Sequence, residues 1–286
     1  MNDGIDIRIE IDAPPAKVFE VLTTTASLEA WFAERAHVSI DEARYDFWGR
    51  FTPYSPGPKE GRHRLLSVEP YAKLAFRWPV RGTETTVEID VVPRAGAALV
   101  HLKHDAPPRE RGDLSLADFW MLSFENLRRF LRDGAAPIRC DYTSMPHDVV
   151  ELDLEIEASR EEVFRGLIDE RTLNRWIAAG SAEVEPTPGG RYRYWDGQGP
   201  IKILSIVPNE KLSCSWKYGE DPETVVSWTL SGSRGRTRLS LVHSGFGRDV
   251  EDFRTGWLRH MLWLKGTLEE GESWSRPVLA TTDCRA

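Results

Sequence analysis

The sequence predicts an α+β protein made of two similar copies in tandem, each a curved antiparallel sheet wrapped on a long C-terminal helix. Two stretches match without a gap at an offset of 145 residues: IEIDAPPAKVFEVLT begins at Ile9, and LEIEASREEVFRGLI begins at Leu154. Apolar and polar residues alternate at the start of each copy, which indicates a strand with one buried face. Apolar residues recur every three or four positions near each end, which indicates an amphipathic helix. A period this long is typical of a duplicated domain and not of a solenoid.

The composition favours a globular protein of two ordinary domains. The chain has 286 residues, of which 41% are hydrophobic and 29% are charged, and its net charge is -8. Two copies of this size can each bury a substantial core. The acidic balance argues against nucleic acid as a partner, because phosphate binding needs a basic face. No apolar run is long enough to span a bilayer, so we expect no membrane insertion.

Cysteine usage and the N-terminus indicate the compartment. The cysteines Cys140, Cys214 and Cys284 are far apart, odd in number and outside any CxxC motif. A disulfide framework is therefore not expected, and a reducing compartment fits. The N-terminal residues lack the charged and apolar regions of a signal peptide. We predict a cytoplasmic protein.

A strand and two short helices open each copy. The residues predicted to face inward on the strand are Ile7, Ile9 and Ile11 in the first copy and Leu152, Leu154 and Ile156 in the second. In the second copy, Ser159 and Glu162 have the spacing of a capping box, and in the first copy Pro14-Pro15 suits a helix entry. The second short helix carries Trp31 or Trp176.

Several strands and one long helix complete each copy. Turn signals separate the strands at Pro93 to Gly96, Gly189-Gly190, Asp196-Gly197 and Gly232 to Gly235. The apolar stripe of the long helix consists of Trp120, Phe124, Leu127 and Leu131, or of Trp257, Met261, Leu264 and Leu268. The stripe must lie against another element, and the inner face of the sheet is the obvious partner.

The domain boundaries follow from the repeat. We predict a first copy over 1–134, a linker over 135–148, a second copy over 149–275 and a C-terminal tail over 276–286. The first copy has about nine extra residues in the stretch Phe51 to Gly61. This stretch is rich in proline and glycine, so we predict a surface loop.

The order of elements resembles the helix-grip fold of the START-like (SRPBCC) superfamily. Within it, the chain is most similar to the domain shared with the C-terminal half of heat-shock chaperone ATPase activators. The residues that carry the resemblance are IEIDAPPAKVFEVLT, the LxxWF pattern at 28–32, LNRWI at 173–177, PGGRYRY at 188–194, HSGFG at 243–247 and GWLRHMLWLKGTLEEG at 256–271. The first copy departs from the pattern, because Glu42-Ala43 replaces the glycine pair and HDAPPRERGD replaces HSGFG.

The resemblance implies an apolar cavity between the sheet and the long helix. Such a cavity with a few polar groups is the usual form of a ligand site, although the same rings can also fill a solid core. The candidate ligand-binding residues are Tyr192, Tyr194, Trp216, Trp228, His243, Trp257 and Met261. His243 shares the apolar face of its strand, so its ring must find a hydrogen-bond partner or reach water. It either caps the strand end on a backbone carbonyl or a carboxylate, or contacts a polar group of the ligand. We expect the second copy, which keeps the glycine pair and HSGFG, to hold the more open cavity.

No motif in the sequence requires catalysis. His101 and His104 are three residues apart on a strand, so they point to opposite faces and cannot share a metal. The chain lacks the GxSxG nucleophile elbow and the spacing of nucleotide-binding glycine motifs. We therefore predict no cofactor, no metal and no catalytic residue.

The predicted function is non-catalytic binding of a small, mostly apolar ligand or of a protein partner. Two alternatives remain from other classes. One is chaperone ATPase regulation, which is not favoured because the N-terminal chaperone-binding half of the activators has no counterpart in this chain. The other is an enzyme of the cyclase or hydratase kind, in which a polar group inside the cavity acts as acid or base.

Overall fold

The protein forms two compact units in the computed structural model, which describes residues 4–105, 107, 114–195 and 198–279. One unit comprises Met1–Ser144 together with Pro277–Ala286, and the other comprises Met145–Arg276. The predicted turn at Asp196-Gly197 and most of the HDAPPRERGD segment lie outside the described residues. Both units combine antiparallel strands with a long helix, which confirms the α+β helix-grip class.

The first copy begins with a strand and ends with its long helix. Its elements are β1 (Ile5–Ile11), α1 (Pro15–Thr23), α2 (Thr25–Trp31), β2 (Arg35–Ser39), β3 (Arg44–Trp48), β4 (Leu65–Glu69), β5 (Lys73–Val80), β6 (Thr83–Pro93), β7 (Ala98–His104) and α3 (Leu116–Asp133).

The second copy repeats this order. Its elements are β8 (His147–Ile156), α4 (Arg160–Ile168), α5 (Glu170–Leu173), a π-helical turn (Asn174–Ala178), β9 (Glu183–Val184), β10 (Tyr192–Arg193), β11 (Gly199–Val207), β12 (Lys211–Lys217), β13 (Thr224–Ser233), β14 (Arg236–Asp249), α6 (Glu251–Glu269) and a 3-10 turn (Gly271–Ser273). A last strand, β15 (Val278–Leu279), belongs to the first unit.

The main sheets have equivalent strand orders. The first runs β15-β1-β7-β6-β5-β4 and the second runs β11-β12-β13-β14-β8, while β2 pairs with β3 and β9 with β10. In both sheets the opening strand pairs with the strand that precedes the long helix, with Ile9 opposite Val100 and Leu154 opposite Leu239. The strand β15 extends the first sheet beyond β1, and it places Leu279 opposite Ile7.

The helix boundaries follow the predicted signals. Ser159 accepts a hydrogen bond from the Glu162 amide at 3.2 Å, and the Glu162 carboxylate accepts one from the Ser159 amide at 2.8 Å. This confirms the capping box, which satisfies two backbone donors that the first turn leaves unpaired. The helix α1 begins at Pro15, as predicted. Gly134, with a φ of 75°, ends α3 in the left-handed conformation that glycine adopts without strain.

The core of each copy lies between the inner sheet face and the long helix. The predicted helix stripe is buried in both copies except for its last residue, because Leu131 and Leu268 are only half-buried. The buried members are Trp120, Phe124 and Leu127 on α3 and Trp257, Met261 and Leu264 on α6.

The extra segment of the first copy is a loop between β3 and β4, but it does not stay on the surface. Thr52, Pro53 and Ser55 are buried, so the prediction of a surface loop was wrong for part of the segment. The Gly49 amide donates to the Ser55 carbonyl at 2.9 Å, and the Phe47 amide donates to the Gly61 carbonyl at 3.1 Å. These bonds satisfy backbone groups that would otherwise need water, and this is why the loop can turn inward.

Candidate functional site in the aromatic interior of the second copy

His243 joins the sheet to the long helix at the centre of the second copy. The indole Nε1 of Trp257 on α6 donates to His243 Nδ1 at 2.9 Å. The other ring nitrogen, Nε2, lies 2.8 Å from Thr224 Oγ1 on β13. An indole N–H can only donate, so the neutral ring carries its proton on Nε2 and donates it to Thr224. The Thr224 hydroxyl then donates to the Trp216 carbonyl at 3.3 Å.

This network keeps His243 neutral. Burial lowers the pKa of His243 to about 3, because the charged ring loses its hydration in the apolar interior. A proton on Nδ1 would also face the indole N–H of Trp257. The partners of His243 are thus a threonine hydroxyl and an indole, and not the backbone carbonyl or carboxylate that the sequence suggested.

Aromatic rings surround this histidine. The centroid of the Trp216 ring lies 5.0 Å from that of Trp257, 5.5 Å from that of His243 and 6.1 Å from that of Tyr194. The Trp228 ring lies 5.4 Å from Trp257 at an interplanar angle of 85°. Edge-to-face contacts of this kind are the favourable arrangement for aromatic pairs.

Two tyrosines close one side of the cluster. The Tyr192 hydroxyl donates to the Leu167 carbonyl and lies in hydrogen-bond contact with the Tyr194 hydroxyl. Because the Tyr192 hydroxyl proton is donated to the Leu167 carbonyl, the Tyr194 hydroxyl is the donor in the hydrogen bond between the two tyrosines. Burial raises the pKa of both tyrosines well above its usual range, and it raises the pKa of the neighbouring Cys214 thiol as well. The interior therefore disfavours negative charge.

A second histidine, His260, lies on α6 one turn beyond Trp257. Its ring centroid is 6.1 Å from Trp195, 6.4 Å from Trp176 and 6.3 Å from Trp257. Burial, with the nearby Arg259 charge as a smaller cause, lowers the pKa of His260 well below its ordinary value. Arg259 Nη2 lies 2.6 Å from Nε2 of this ring, and because a guanidinium can only donate, Nε2 is the acceptor.

Two buried indole N–H groups of this cluster lack a hydrogen-bond partner among the described residues: Nε1 of Trp216 and Nε1 of Trp263, whose ring centroid lies 5.3 Å from that of His260. Trp216 and Trp263 are each 4% exposed, so these atoms are shielded from bulk solvent. A hydrogen bond with the Trp176 backbone raises the pKa of His260 and offsets part of the effect of burial. A buried donor without an acceptor costs about 1–3 kcal/mol.

The first copy satisfies the equivalent indole with its own loop. Trp78 occupies the position of Trp216, and its Nε1 donates to Ser55 Oγ at 3.2 Å. His63 Nε2 lies 3.3 Å from the same hydroxyl oxygen. The His63 ring stacks on Phe47, the counterpart of Tyr194, with centroids 3.9 Å apart and an interplanar angle of 23°. Loop side chains thus fill the place that the second copy leaves without an acceptor.

The structure brings most of the predicted site residues into one cluster. Tyr194, Trp216, Trp228, His243 and Trp257 are linked by ring contacts. Tyr192 joins through Tyr194, and Met261 is buried on α6 one turn after Trp257. All seven residues are buried.

Sequence reasoning missed Trp176, Trp195 and His260 as members of the cluster. In the sequence, Trp176 and Trp195 could be recognised only as the counterparts of Trp31 and Trp48 in the first copy, and this equivalence gave no sign of a site. His260 follows Trp257 by three residues, and this helical spacing was the available signal.

The two glycine motifs of the second copy serve turns and packing. A Cβ on Gly190 would lie 2.2 Å from the Glu185 carbonyl oxygen, so only glycine fits this turn. In HSGFG, the Phe246 ring packs 4.3 Å from His243 and 4.6 Å from Phe253. These contacts fill space. The two motifs therefore give no reason to expect a more open cavity in the second copy.

Neither metal ligation nor membrane spanning is indicated by the parts of the chain that the structure describes. In these parts, no group of three or more His, Cys, Asp or Glu side chains could hold a metal ion. Within the same residues, no helix is both long enough and apolar enough to cross a bilayer.

The fold and its interior define a tandem helix-grip protein. The family model described as activator of Hsp90 ATPase homolog 1-like protein matches residues 12–132 and again residues 157–269. The chain belongs to this family, and the match confirms the resemblance and the duplication. No curated protein matches the chain significantly.

Solved structures resemble the chain at low identity. CalU16 from Micromonospora echinospora is 22% identical over 42% of this chain and 74% of its own, with a TM-score of 0.39. The Aha1 dimer from Colwellia psychrerythraea is 23% identical over 43% of this chain and 98% of its own, with a TM-score of 0.37. DynU16, a protein in the dynemicin biosynthetic locus, is 16% identical over 94% of this chain and 100% of its own, with a TM-score of 0.37. These similarities carry no argument about function.

Proposed function

We propose that the protein binds a small, mostly apolar molecule without catalysis, and that the second copy holds it. One observation carries the proposal: Trp216 Nε1 is buried among aromatic rings and has no acceptor among the residues that the structure describes, whereas Ser55 accepts from the equivalent Trp78. A protein that keeps such a donor loses stability unless something else uses it. A bound ligand is the natural acceptor, because apolar sites with a few polar groups are the common form of small-molecule site.

The protonation states favour binding over catalysis. Acid–base catalysis works best when the pKa of the catalytic group lies near the working pH. Burial lowers the pKa of His243 to about 3 and raises that of Tyr192 and Tyr194. These three groups stay neutral at pH 7 and suit hydrogen bonding better than proton transfer. For the compartment, we retain the cytoplasm as part of the proposal, since Cys214 is a buried free thiol.

A fluorescent probe tests the proposal on the full chain. The neutral probe N-phenyl-1-naphthylamine should bind one equivalent per chain with a rise in emission. Met261 and Phe124 occupy the same repeat position and are both buried. Met261→Phe gives the second copy the residue of the first, and the added ring should weaken binding about fivefold or more, in line with typical overpacking costs.

The matched control is Phe124→Met, which should leave probe affinity unchanged. Circular dichroism would establish that both variants fold. If the probe does not bind, or if Phe124→Met alone alters the affinity, the assignment to the second copy is wrong.

Chaperone regulation is the second candidate, and the family match supports it. We expect a negative result, because the match covers none of the partner-binding half that the resemblance assigns to the activators. The purified protein should leave the ATPase rate of a chaperone of the Hsp90 class unchanged at equimolar concentration. A several-fold increase in that rate would make regulation the better proposal.

A further inference from the structure

We propose that the ligand of the second copy is a neutral, planar aromatic molecule that carries an oxygen acceptor, such as a carbonyl, and that this oxygen accepts a hydrogen bond from Nε1 of Trp216. The inference rests on the proposed function and adds the chemical class of the ligand. Three observations carry it: the direction of the unsatisfied hydrogen bond, the side chains that fill the equivalent place in the first copy, and the neutral state of the tyrosines, the thiol and the histidines of the cluster.

The direction of the hydrogen bond requires an acceptor. Trp216 Nε1 is a donor and cannot accept. Trp195 contacts this indole, with ring centroids 5.8 Å apart, but its ring supplies no acceptor. A ligand group that can only donate, such as an ammonium, would leave Nε1 unsatisfied, whereas an oxygen with a free lone pair would accept from it.

The first copy shows the shape that fills this place. Ser55 supplies the oxygen to Trp78 Nε1, and the imidazole of His63 supplies a flat ring beside that oxygen. The His63 ring stacks on Phe47, whose counterpart is Tyr194. The loop therefore acts as an internal ligand that consists of a planar ring next to an oxygen acceptor. A ligand that binds against the equivalent residues of the second copy would present a planar ring to Tyr194 and an oxygen to Trp216.

Trp195 is no substitute for that acceptor. Its ring lies edge-on to Trp216 at an interplanar angle of 85°. An indole offers no acceptor, and its own Nε1 already donates to the Ile177 carbonyl at 3.2 Å. Trp195 is half-buried, so it is the member of the cluster at which the rings reach solvent.

The interior favours a neutral ligand. Burial raises the pKa of Tyr192, Tyr194 and Cys214, and it lowers the pKa of His260 and His243. All five groups are thereby held in their neutral forms. An ionised ligand would lose its hydration in the same surroundings without an opposite charge from these groups.

A pair of matched compounds tests the inference. 1-Indanone and indane share the same fused rings and differ at one carbon, which bears the carbonyl oxygen only in 1-indanone. Each is titrated by calorimetry into the full chain, into Trp216→Phe and into Trp78→Phe as the control in the first copy. The wild-type protein should bind 1-indanone about tenfold more tightly than indane, the value of roughly one hydrogen bond. This ratio should fall to about one in Trp216→Phe and stay near ten in Trp78→Phe.

A spectroscopic measurement covers the case in which Trp216→Phe does not fold. In ¹H–¹⁵N spectra of the wild-type protein, 1-indanone should shift the indole N–H signal of Trp216 downfield, and indane should not. Equal affinity for the two compounds would overturn the inference while the proposed function stands. So would a ratio that survives Trp216→Phe, a shift confined to Trp78, or tighter binding of the anion indane-1-carboxylate. If neither 1-indanone nor indane binds, the proposed function fails together with the inference.

Discussion

In the first copy, Trp78 donates its indole N–H to Ser55, whereas the equivalent Trp216 of the second copy has no acceptor among the described residues. The sheets and long helices around these two rings correspond closely, so the difference comes from the loop that only the first copy has. One duplicated scaffold thus contains one interior in which a loop supplies the acceptor for this indole and one in which no described residue does so.

Outside this loop, the copies share several hydrogen bonds. In each copy a tyrosine and a tryptophan bond backbone carbonyls of the first helix, a tryptophan bonds a histidine, and a cation of the long helix bonds a carbonyl of the opening strand. The equivalent pairs are Tyr45–Leu22 and Tyr192–Leu167, Trp31–Val21 and Trp176–Gly166, Trp120–His104 and Trp257–His243, and Arg128–Glu10 and Lys265–Glu155. The contacts that occur in both copies are those that the fold requires. The loop contacts, which occur only in the first copy, are not required for the fold.

The largest expected effect is acid destabilisation, which should be similar in the two copies. Burial lowers the pKa of His243 to about 3 and that of His104 to about 4, where Asp105 offsets part of the shift. The unfolded chain therefore binds protons first, so stability is complete above pH 6.5 and falls as the pH drops toward these values. Between pH 6.5 and about 4.5, each histidine should cost about 2.5 kcal/mol of unfolding free energy.

Urea denaturation across this pH range measures that loss. His104→Gln and His243→Gln each remove one titrating ring, and each should reduce the pH dependence by about the same amount. A pH dependence that one substitution abolishes and the other leaves intact would show that the two histidines are not equivalent.

The next effect concerns the indole donors of these histidines. Trp120 and Trp257 donate to His104 and His243 at 3.1 Å and 2.9 Å. Replacing either tryptophan with Phe leaves a buried imidazole nitrogen unpaired and removes ring volume. We therefore expect each substitution to lower the free energy of unfolding by about 2–4 kcal/mol. Unfolding free energies from urea titration should agree between the two variants within about 1 kcal/mol. A loss confined to one of them would contradict the equivalence of the copies.

Ser55→Ala should expose the difference between the copies. Its hydroxyl serves both Trp78 Nε1 and His63 Nε2, and Ser55 is 0% exposed. The substitution should lower the free energy of unfolding by about 1–3 kcal/mol, because it leaves buried polar atoms without partners, as in the second copy. Thermal denaturation measures the loss, and Ser67→Ala on the exposed part of β4 is a matched control that should change little. No destabilisation by Ser55→Ala would mean that the loop does not stabilise the indole.

The smallest effect comes from exchanging residues at a shared contact. Arg128 Nη2 donates to the Glu10 carbonyl at 3.4 Å, and Lys265 Nζ donates to the Glu155 carbonyl at 2.7 Å. Arg128→Lys and Lys265→Arg each keep a cation at that carbonyl, so the unfolding free energy should change by less than about 1 kcal/mol. A larger loss from Arg128→Lys would show that its ion pair with buried Glu125 matters more than the strand contact.

Sequence patterns predicted the parts of the fold that depend on periodicity. Alternation identified the buried faces of β1 and β8, and a capping pair identified the start of α4. His104 and His243 occupy equivalent positions, since each accepts a hydrogen bond from the tryptophan of its own long helix. Their partners Thr85 and Thr224 were missed, because a hydrogen bond between neighbouring strands leaves no local signal in the sequence.

Loop composition predicted that 51–61 is irregular but not where it goes. Proline and glycine indicate turns, but they do not show where a turn lies. They therefore do not reveal that Ser55 accepts a hydrogen bond from the Trp78 indole. Strand β15 was missed for another reason, since two residues are too few for an alternation pattern.

The strand β15 has a consequence for how the molecule is made. Val278 and Leu279 pair with Arg8 and Ile7, so the first sheet receives an edge strand from residues that follow the second copy in sequence. At ordinary rates of translation, β1 leaves the ribosome tens of seconds before β15 does. During that interval the nascent sheet has an uncovered margin, which is where strands of other chains can attach. Of the two copies, the one that is synthesised earlier is therefore completed later.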